Sequence, residues 1–383
     1  MDKWNMVKLS DVFTLQMGKT PSRNNPDYWN GNHKWLSIAD FGMNGKYINK
    51  TKECITDAAV AESGIKATPH NTVVMSFKLS IGKTAITVKD IFTNEAIMSF
   101  IDKGTYPIDV NYIYHLFSGK DWSKGTNKAV MGTTLNKATL SQITIPLPPI
   151  ESQYQIADNL EKVSKLIDIC NTILNKLDIL VKSRFVEMFE DLKDRRTIAD
   201  LCSIITDGTH QPPKFSQSGI PFLFVSNIVK NEITYNAEKF ISEETYNELY
   251  KRTPIEIGDI ILSTVGSYGH PAVVKTDRKF LFQRHIAYLK PISSVINSIY
   301  LHSAILSNDA QRQIEERVKG IAQKTLNLSE IRKITIPIAP IPLQQQFADF
   351  VAQTDKSKYC LVGEQILGKA EMLIELLNQE YFG

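Results

Sequence analysis

The side chains best suited to chemistry in this chain are cations, amides and aromatics gathered in loop-like stretches. Lys19–Lys34 reads KTPSRNNPDYWNGNHK, and Lys120–Lys137 sets four lysines against one aspartate. Further along, Ser263–His270 (STVGSYGH), Lys275–His285 (KTDRKFLFQRH) and Arg317–Asn327 (RVKGIAQKTLN) repeat the mixture. Between residues 270 and 290, Lys275, Arg278, Lys279, Arg284 and Lys290 stand against Asp277 alone, a basic and aromatic cluster by sequence. These types suit a polyanion. Asn pairs with adenine edges, Arg with guanine edges, and hydroxyls and lysines take phosphates. The expected contacts in the first half are Thr20, Ser22, Arg23, Asn24, Asn25, Tyr28, Lys78, Lys83, Lys124, Lys128 and Thr133. In the second half they are Thr209, His210, Gln211, Lys214, Ser267, Tyr268, His270, Arg284, Lys319 and Lys324. A single charged loop is ordinarily just solvated. Recurrence at equivalent places in two halves of the chain favours a polyanion-binding face.

Catalytic patterns are missing. An amino-methyltransferase needs [DNS]PP[YFW] and a glycine-rich loop. Asn25-Pro26-Asp27-Tyr28 has one proline, and Gln211-Pro212-Pro213-Lys214 lacks both flanking types. No GxxxxGK[ST], HExxH or GxSxG occurs, and the seven histidines show no metal spacing. No catalytic, cofactor-binding or metal-binding residue is therefore assigned.

The elements that must position these loops come in two copies. Thr134–Asp158 and Thr325–Asp349 align without a gap at an offset of 191, with 13 of 25 positions identical. Upstream, Asn71–Thr87 lies over Gly258–Val274, Trp35–Ile38 over Phe222–Val225, and Val7–Val12 over Arg196–Leu201. Each copy is a divergent globular part followed by a well-matched helical part. In the first globular part, β-like runs at Trp35–Ile38, Thr72–Phe77, Thr84–Val88, Ile97–Ile101 and Ile143–Leu147 alternate with turn residues. A short helix is expected around Asn111–Phe117.

From Glu151 to Asp207 there is no Gly or Pro. Apolar residues at Ile156, Leu160, Val163, Ile167, Cys170, Leu174, Leu177, Val181 and Met188 form a heptad seam. The spacing predicts a helix from Ile150 to about Lys193. In the second copy the seam starts with Phe347, Val351 and Thr354 and slips through Leu361 to Ile366, Ala370, Leu373 and Leu377, with Gly363 and Gly368 interrupting. Two such stripes most simply pack as an antiparallel pair.

The chain has 383 residues, 43% apolar and 22% charged, with net charge +3, which fits a globular protein of more than one domain. No apolar run is long enough to span a membrane, no secretory leader is visible, and four scattered cysteines suggest a reducing compartment. A cytoplasmic location is expected.

Gly18–Arg23 with Tyr28-Trp29 and Trp35–Ile38, then Gly132–Asn136 with Ile145–Gln153, and in the second half Gly219–Leu223 with Ile336–Gln346, resemble the specificity subunits of type I restriction-modification systems. The resemblance covers essentially the whole chain. Ser152 and Gln345 stand where that junction commonly has an acidic residue, and Ala339 breaks the second Pro-Pro.

The resemblance implies an α+β protein. Two pseudo-twofold-related globular α/β target recognition domains would be separated by a pair of long antiparallel helices, a coiled coil. The divisions would be 1–149 and 195–340 for the recognition domains, with 150–194 and 341–383 for the helices. It implies a non-catalytic reader of double-stranded DNA. Each domain would take half of a bipartite target, and the helices would dock two modification (methyltransferase) subunits and set the half-site spacing. S-adenosylmethionine would belong to those partners, and ATP with magnesium to two optional restriction (motor-nuclease) subunits. No cofactor is expected in this chain, and no membrane. The alternatives are a stand-alone methyltransferase or nuclease component, and a coiled-coil scaffold without a DNA role.

Overall fold

The computed structural model describes residues 4–78, 80–122, 135–320, 324–362 and 366–382. Contacts divide the chain into two units: Met1–Cys170 with Glu364–Gly383, and Asn171–Gly363. The helix Ile150–Phe189 gives its first half to one and the rest to the other.

In the first unit, a five-stranded sheet runs in the order Phe13–Met17, Ile97–Asp102, Val73–Ser76, Thr84–Thr87, Tyr47–Ile48. Beside it, Trp29–Leu36 lies between Glu53–Ile55 and Phe92–Thr93. The central strands read as continuous apolar runs because both faces are covered. Val73, Met75, Met98 and Phe100 pack with Leu116 and Phe117 of the helix Val110–Gly119. Val74, Ala85 and Ile97 point the other way, onto Leu36, Phe41 and Ile48. Antiparallel pairing puts Val73 opposite Phe100 and Met75 opposite Met98.

The second unit repeats this order. Its larger sheet is Cys202–Asp207, Ile286–Pro291, Ile260–Ser263, Pro271–Val273. Its smaller one places Ile220–Leu223 between Lys239–Ile241 and Leu281–Phe282. In both units a short ribbon joins the start of the globular part to its end. Met6–Lys8 pairs antiparallel with Thr144–Pro146, and Arg195–Thr197 with Thr335–Pro337.

The strands expected from sequence lie within a residue or two of those observed, except that the first extends back to Trp29 and Ile38 opens a 3-10 turn instead. The central helix ends at Phe189, short of Lys193, because the chain must turn before pairing at Arg195. Along that helix the expected seam is the shielded side. Ile156, Leu160 and Cys170 are buried, and Val163, Ile167, Leu174, Leu177, Val181 and Met188 are half-buried.

Within the second unit, Phe185 and Phe189 each lie 5.5 Å from Phe347 of the helix Ile341–Val362, while Asp178 meets Lys358 at 2.6 Å. Contacts therefore run in opposite senses along the two helices, and the expected antiparallel packing is present there. The later seam is corrected. The helix Leu367–Phe382 shields Leu367, Ala370, Ile374 and Leu377, whereas Ile366 and Leu373 are exposed. A helix starting at Leu367 sets its own heptad phase instead of inheriting the earlier one.

Candidate nucleic-acid interface

Each globular part is fixed to its helix by one glutamine. Gln153 and Gln344, equivalent at the 191 offset, are fully buried. Gln153 Nε2 donates to Pro107 O (3.1 Å) and Pro148 O (2.9 Å), and its Oε1 accepts from Asp109 N (2.9 Å). Gln344 repeats this with Val295 O (3.3 Å), Ala339 O (2.8 Å) and Asn297 N (2.8 Å). Asp109 and Asn297 also cap the helices that follow them. Tyr112 and Tyr300 complete the match, donating to Pro146 O (2.8 Å) and Pro337 O (2.9 Å).

The seam between globular part and helix differs in where its charges stand. In the first unit Lys46 Nζ meets Glu161 Oε2 at 2.6 Å, and both are mostly shielded. Burial works to raise the Glu161 pKa, but Lys46 outweighs it and holds the carboxyl below its ordinary range. His115 Nε2 is buried 3.4 Å from Glu161 without a hydrogen bond. Burial, helped by the Lys46 charge, pushes the His115 pKa down to about 4. In the second unit the counterpart of Glu161 is Ala352, which lines a groove of about 1730 Å³ with Val181, Ile299, His302 and the more exposed pair Lys275–Asp355.

Away from the helices, backbone bonds gather segments distant in sequence along one edge of each sheet pair. In the second unit the amides of Gly208, Thr209, Thr264 and Gln283 donate to Ile286 O (3.1 Å), Phe282 O (3.1 Å), His285 O (2.9 Å) and Leu223 O (3.2 Å). Arg284 N donates to Thr209 O (3.1 Å), Leu326 N to Thr264 O (2.8 Å) and Gly266 N to Lys324 O (3.1 Å). Thr209, Arg284, the turn bearing Ser267 and Tyr268, and the connection bearing Lys319 and Lys324 are thereby brought together. Tyr268 and Lys324 share Glu315, whose hydrogen bond holds Lys324 charged above its usual range.

The first unit has the same frame. The amides of Gly18, Lys19, Phe77 and Asn94 donate to Ile97 O (3.2 Å), Thr93 O (2.8 Å), Ala96 O (3.0 Å) and Leu36 O (3.0 Å). Gly18 and Gly208 are required here, since a Cβ at either would lie 2.2 Å from a carbonyl oxygen, of Thr93 or Phe282. Thr20 sits on this edge, bonded to Glu95, and Lys78 follows Phe77. Lys83 is exposed at the base of the same turn, and its amide donates to Ser76 Oγ at 3.1 Å.

The remaining expected contacts have partners of their own or stand exposed. Arg23 lies 3.8 Å over the Trp29 ring and grips Glu53 with both guanidinium arms, holding that carboxyl below its ordinary range. Trp29 Nε1 donates to Ser22 O at 3.1 Å. Tyr28 OH reaches Glu62 at 2.8 Å. Asn25 Oδ1 accepts from Asp27 N at 3.1 Å, so this Asn-Pro-Asp-Tyr stretch is a capped turn. Asn24, Gln211 and Lys214 are exposed, and His210 pairs with Asp207 at 3.1 Å. His270 faces Asn231 Oδ1 at 3.1 Å, with its pKa lowered by burial. Lys124, Lys128 and Thr133 lie outside the described residues.

The expected basic cluster at 270–290 does not form one face. Lys275 pairs with Asp355 (3.0 Å), Lys279 with Glu243, and Lys290 with Glu256 (2.7 Å), while Arg278 lies 4.9 Å from the Tyr235 ring. Of the five, among the described residues, Arg284 alone keeps its charge free of carboxylate and ring partners; its Nε is 3.4 Å from His285 Nε2. Sequence reasoning missed Gln153, Gln344 and Glu95. The glutamines were visible as identities in the repeat, but their role depends on contacts more than forty residues away.

A doubled α+β module, each copy carrying a polar edge and resting on a long helix, defines a two-headed recognition protein. The chain matches the model of the type I restriction modification DNA specificity domain twice, over residues 1–178 and 190–367. It belongs to that family, and is a DNA specificity subunit of the type I restriction-modification kind. It is 27% identical to the type I restriction enzyme MjaIX specificity subunit of Methanocaldococcus jannaschii, over 91% of this chain and 86% of that one. It is 24% identical to the EcoBI specificity subunit of Escherichia coli, over 63% and 58%. Its fold resembles that of the S subunit from M. genitalium, with TM-score 0.56 at 14% identity over 99% and 96% of the chains. A chain from a structure concerned with type I R-M complex assembly and conformational transition gives 0.59 at 14% identity, over 100% and 98%. Among the described residues no helix is long and apolar enough to cross a membrane.

Proposed function

We propose that each unit reads one half of a bipartite double-stranded DNA target through the edge just described, and that the helices dock methyltransferase subunits. The observation that carries this reading is the recognition edge built twice on one backbone frame with different side chains. One frame with two sets of side chains suits two half-sites of different sequence.

The docking part rests on apolar surface the helices leave uncovered. In the first unit Leu166, Ile169, Met372, Leu373 and Leu376 are exposed; in the second, Ile173, Ile179, Leu180 and Tyr359 are. Exposed apolar residues clustered on a helix mark contact with a partner. One modification subunit per unit gives two per chain. Those partners supply S-adenosylmethionine and the methyl-transfer chemistry. Restriction subunits using ATP and magnesium join the same cytoplasmic assembly where they are present.

Methylome sequencing of cells expressing this chain with its modification partner tests the reading. A two-part methylated motif with an unspecified spacer is the expected result. Removing seven residues from each long helix shortens it by about 10 Å. The spacer then shrinks by about three base pairs at about 3.4 Å each. A motif without two parts, or a spacer unmoved by the deletion, overturns it.

A further inference from the structure

The matched frames allow residues of the two edges to be equated by their hydrogen bonds instead of by alignment. Asn94 and Ala96 in the first unit occupy the places of Gln283 and His285 in the second, because their backbones bond to Leu36 and Phe77 as those of Gln283 and His285 bond to Leu223 and Thr264. The residue between them is Glu95 in one unit and Arg284 in the other, and both are exposed. One backbone position therefore carries opposite charges on two edges that otherwise share their geometry.

We propose that these two side chains read the corresponding base pair of the two half-sites with opposite preference. Arg284 donates to O6 and N7 of a guanine, and Glu95 accepts from the N4 amine of a cytosine. This rests on the DNA-reading function proposed above. A carboxylate set on a polyanion-binding edge is repelled by every phosphate, so the group it suits there is a base amine. The Thr20 hydroxyl bonds Glu95 and steadies it. Arg284 is ready for the complementary task. Arg252 meets Asp207 at 2.8 Å and Arg23 is held by Glu53, but the Arg284 fork is free among the described residues. The Gly18 and Gly208 contacts fix the turn on which each side chain stands, so the reading group is delivered from a rigid base.

The test uses the full chain in complex with its modification partner and reads the methylome base by base. Arg284→Ala should relax one guanine in one half of the motif, with discrimination at that position falling about tenfold to a hundredfold. The other half should keep its sequence. Arg284→Lys, which keeps the charge without the fork, should relax the same position and still bind with similar salt dependence. Glu95→Ala should relax one cytosine in the opposite half, and Glu95→Arg should turn that position toward guanine. The proposal is overturned if the unaltered complex methylates a two-part motif and these variants leave every position as it was. It is also overturned if Arg284→Ala weakens methylation evenly over all sites with no change of base preference, which assigns the guanidinium to a phosphate. An unaltered complex that methylates no two-part motif overturns the functional reading itself.

Discussion

The first unit joins its globular part to its helix through a shielded ion pair, Lys46 with Glu161, whereas the second uses a more exposed one, Lys275 with Asp355, beside a groove. Both keep the same glutamine anchor, with three hydrogen bonds to equivalent atoms. The anchor needs one geometry, because two carbonyls and an amide must all be met inside the protein. The remaining contact area need only be filled or left open, so its charges have shifted place: Lys46, Glu161 and His115 in the first unit, Lys275, Asp355 and His302 along the groove in the second. Geometry of hydrogen bonding is thus the shared part of the two copies, and the placement of charge is the part free to differ.

The largest effect should come from breaking the first unit's pair. Glu161→Ala leaves Lys46 shielded and unpaired and should cost about 3–5 kcal/mol in urea unfolding. Removing both charges together, Lys46→Met with Glu161→Leu, should cost far less, because no charge is then left unpaired. Equal losses from the single and double changes would show that the pair is not what stabilises this seam.

Gln153→Ala and Gln344→Ala should each cost about 3 kcal/mol, three hydrogen bonds at about 1 kcal/mol apiece. The two losses should agree, since the anchors are alike. A large disagreement would break the equivalence of the anchors.

A smaller, pH-dependent effect should arise at His115, with a like one from His302 in the second unit, whose pKa burial also lowers to about 4. His115 stays neutral in the folded protein down to about pH 4, while the unfolded chain takes up a proton near the ordinary histidine value. The depressed pKa costs nothing above about 6.5, and stability is lost as pH falls toward 4, the loss reaching about 2 kcal/mol at pH 5. His115→Phe should flatten that part of the acid-stability curve. An unchanged slope would remove His115 from the account.

Much of the fold was legible because its signals are local. The turn-bounded apolar runs and the seam from Ile156 to Met188 are patterns within short windows, and the repeat at offset 191 is read by matching one 25-residue window to another. The site was legible only in part. Thr209, Tyr268, Arg284 and Lys324 were expected as contacts, but their meeting on one edge follows from backbone bonds across long sequence separations. The basic cluster at 270–290 dissolved for a similar reason. Its lysines pair with Asp355, Glu243 and Glu256, each more than thirty residues away, beyond any local count of charges. Glu95 was passed over because an acidic residue does not suggest a polyanion partner until its counterpart is seen to be Arg284.

The short ribbons carry a consequence for how such a chain can change. Met6 lies opposite Pro146, and Arg195 opposite Pro337, so the polypeptide enters and leaves each head through neighbouring strands. A head is therefore a cassette with both of its seams at a single doorway. Genetic shuffling can exchange one wholesale at two crossover points, leaving the anchor glutamine, the helices and the other head unchanged.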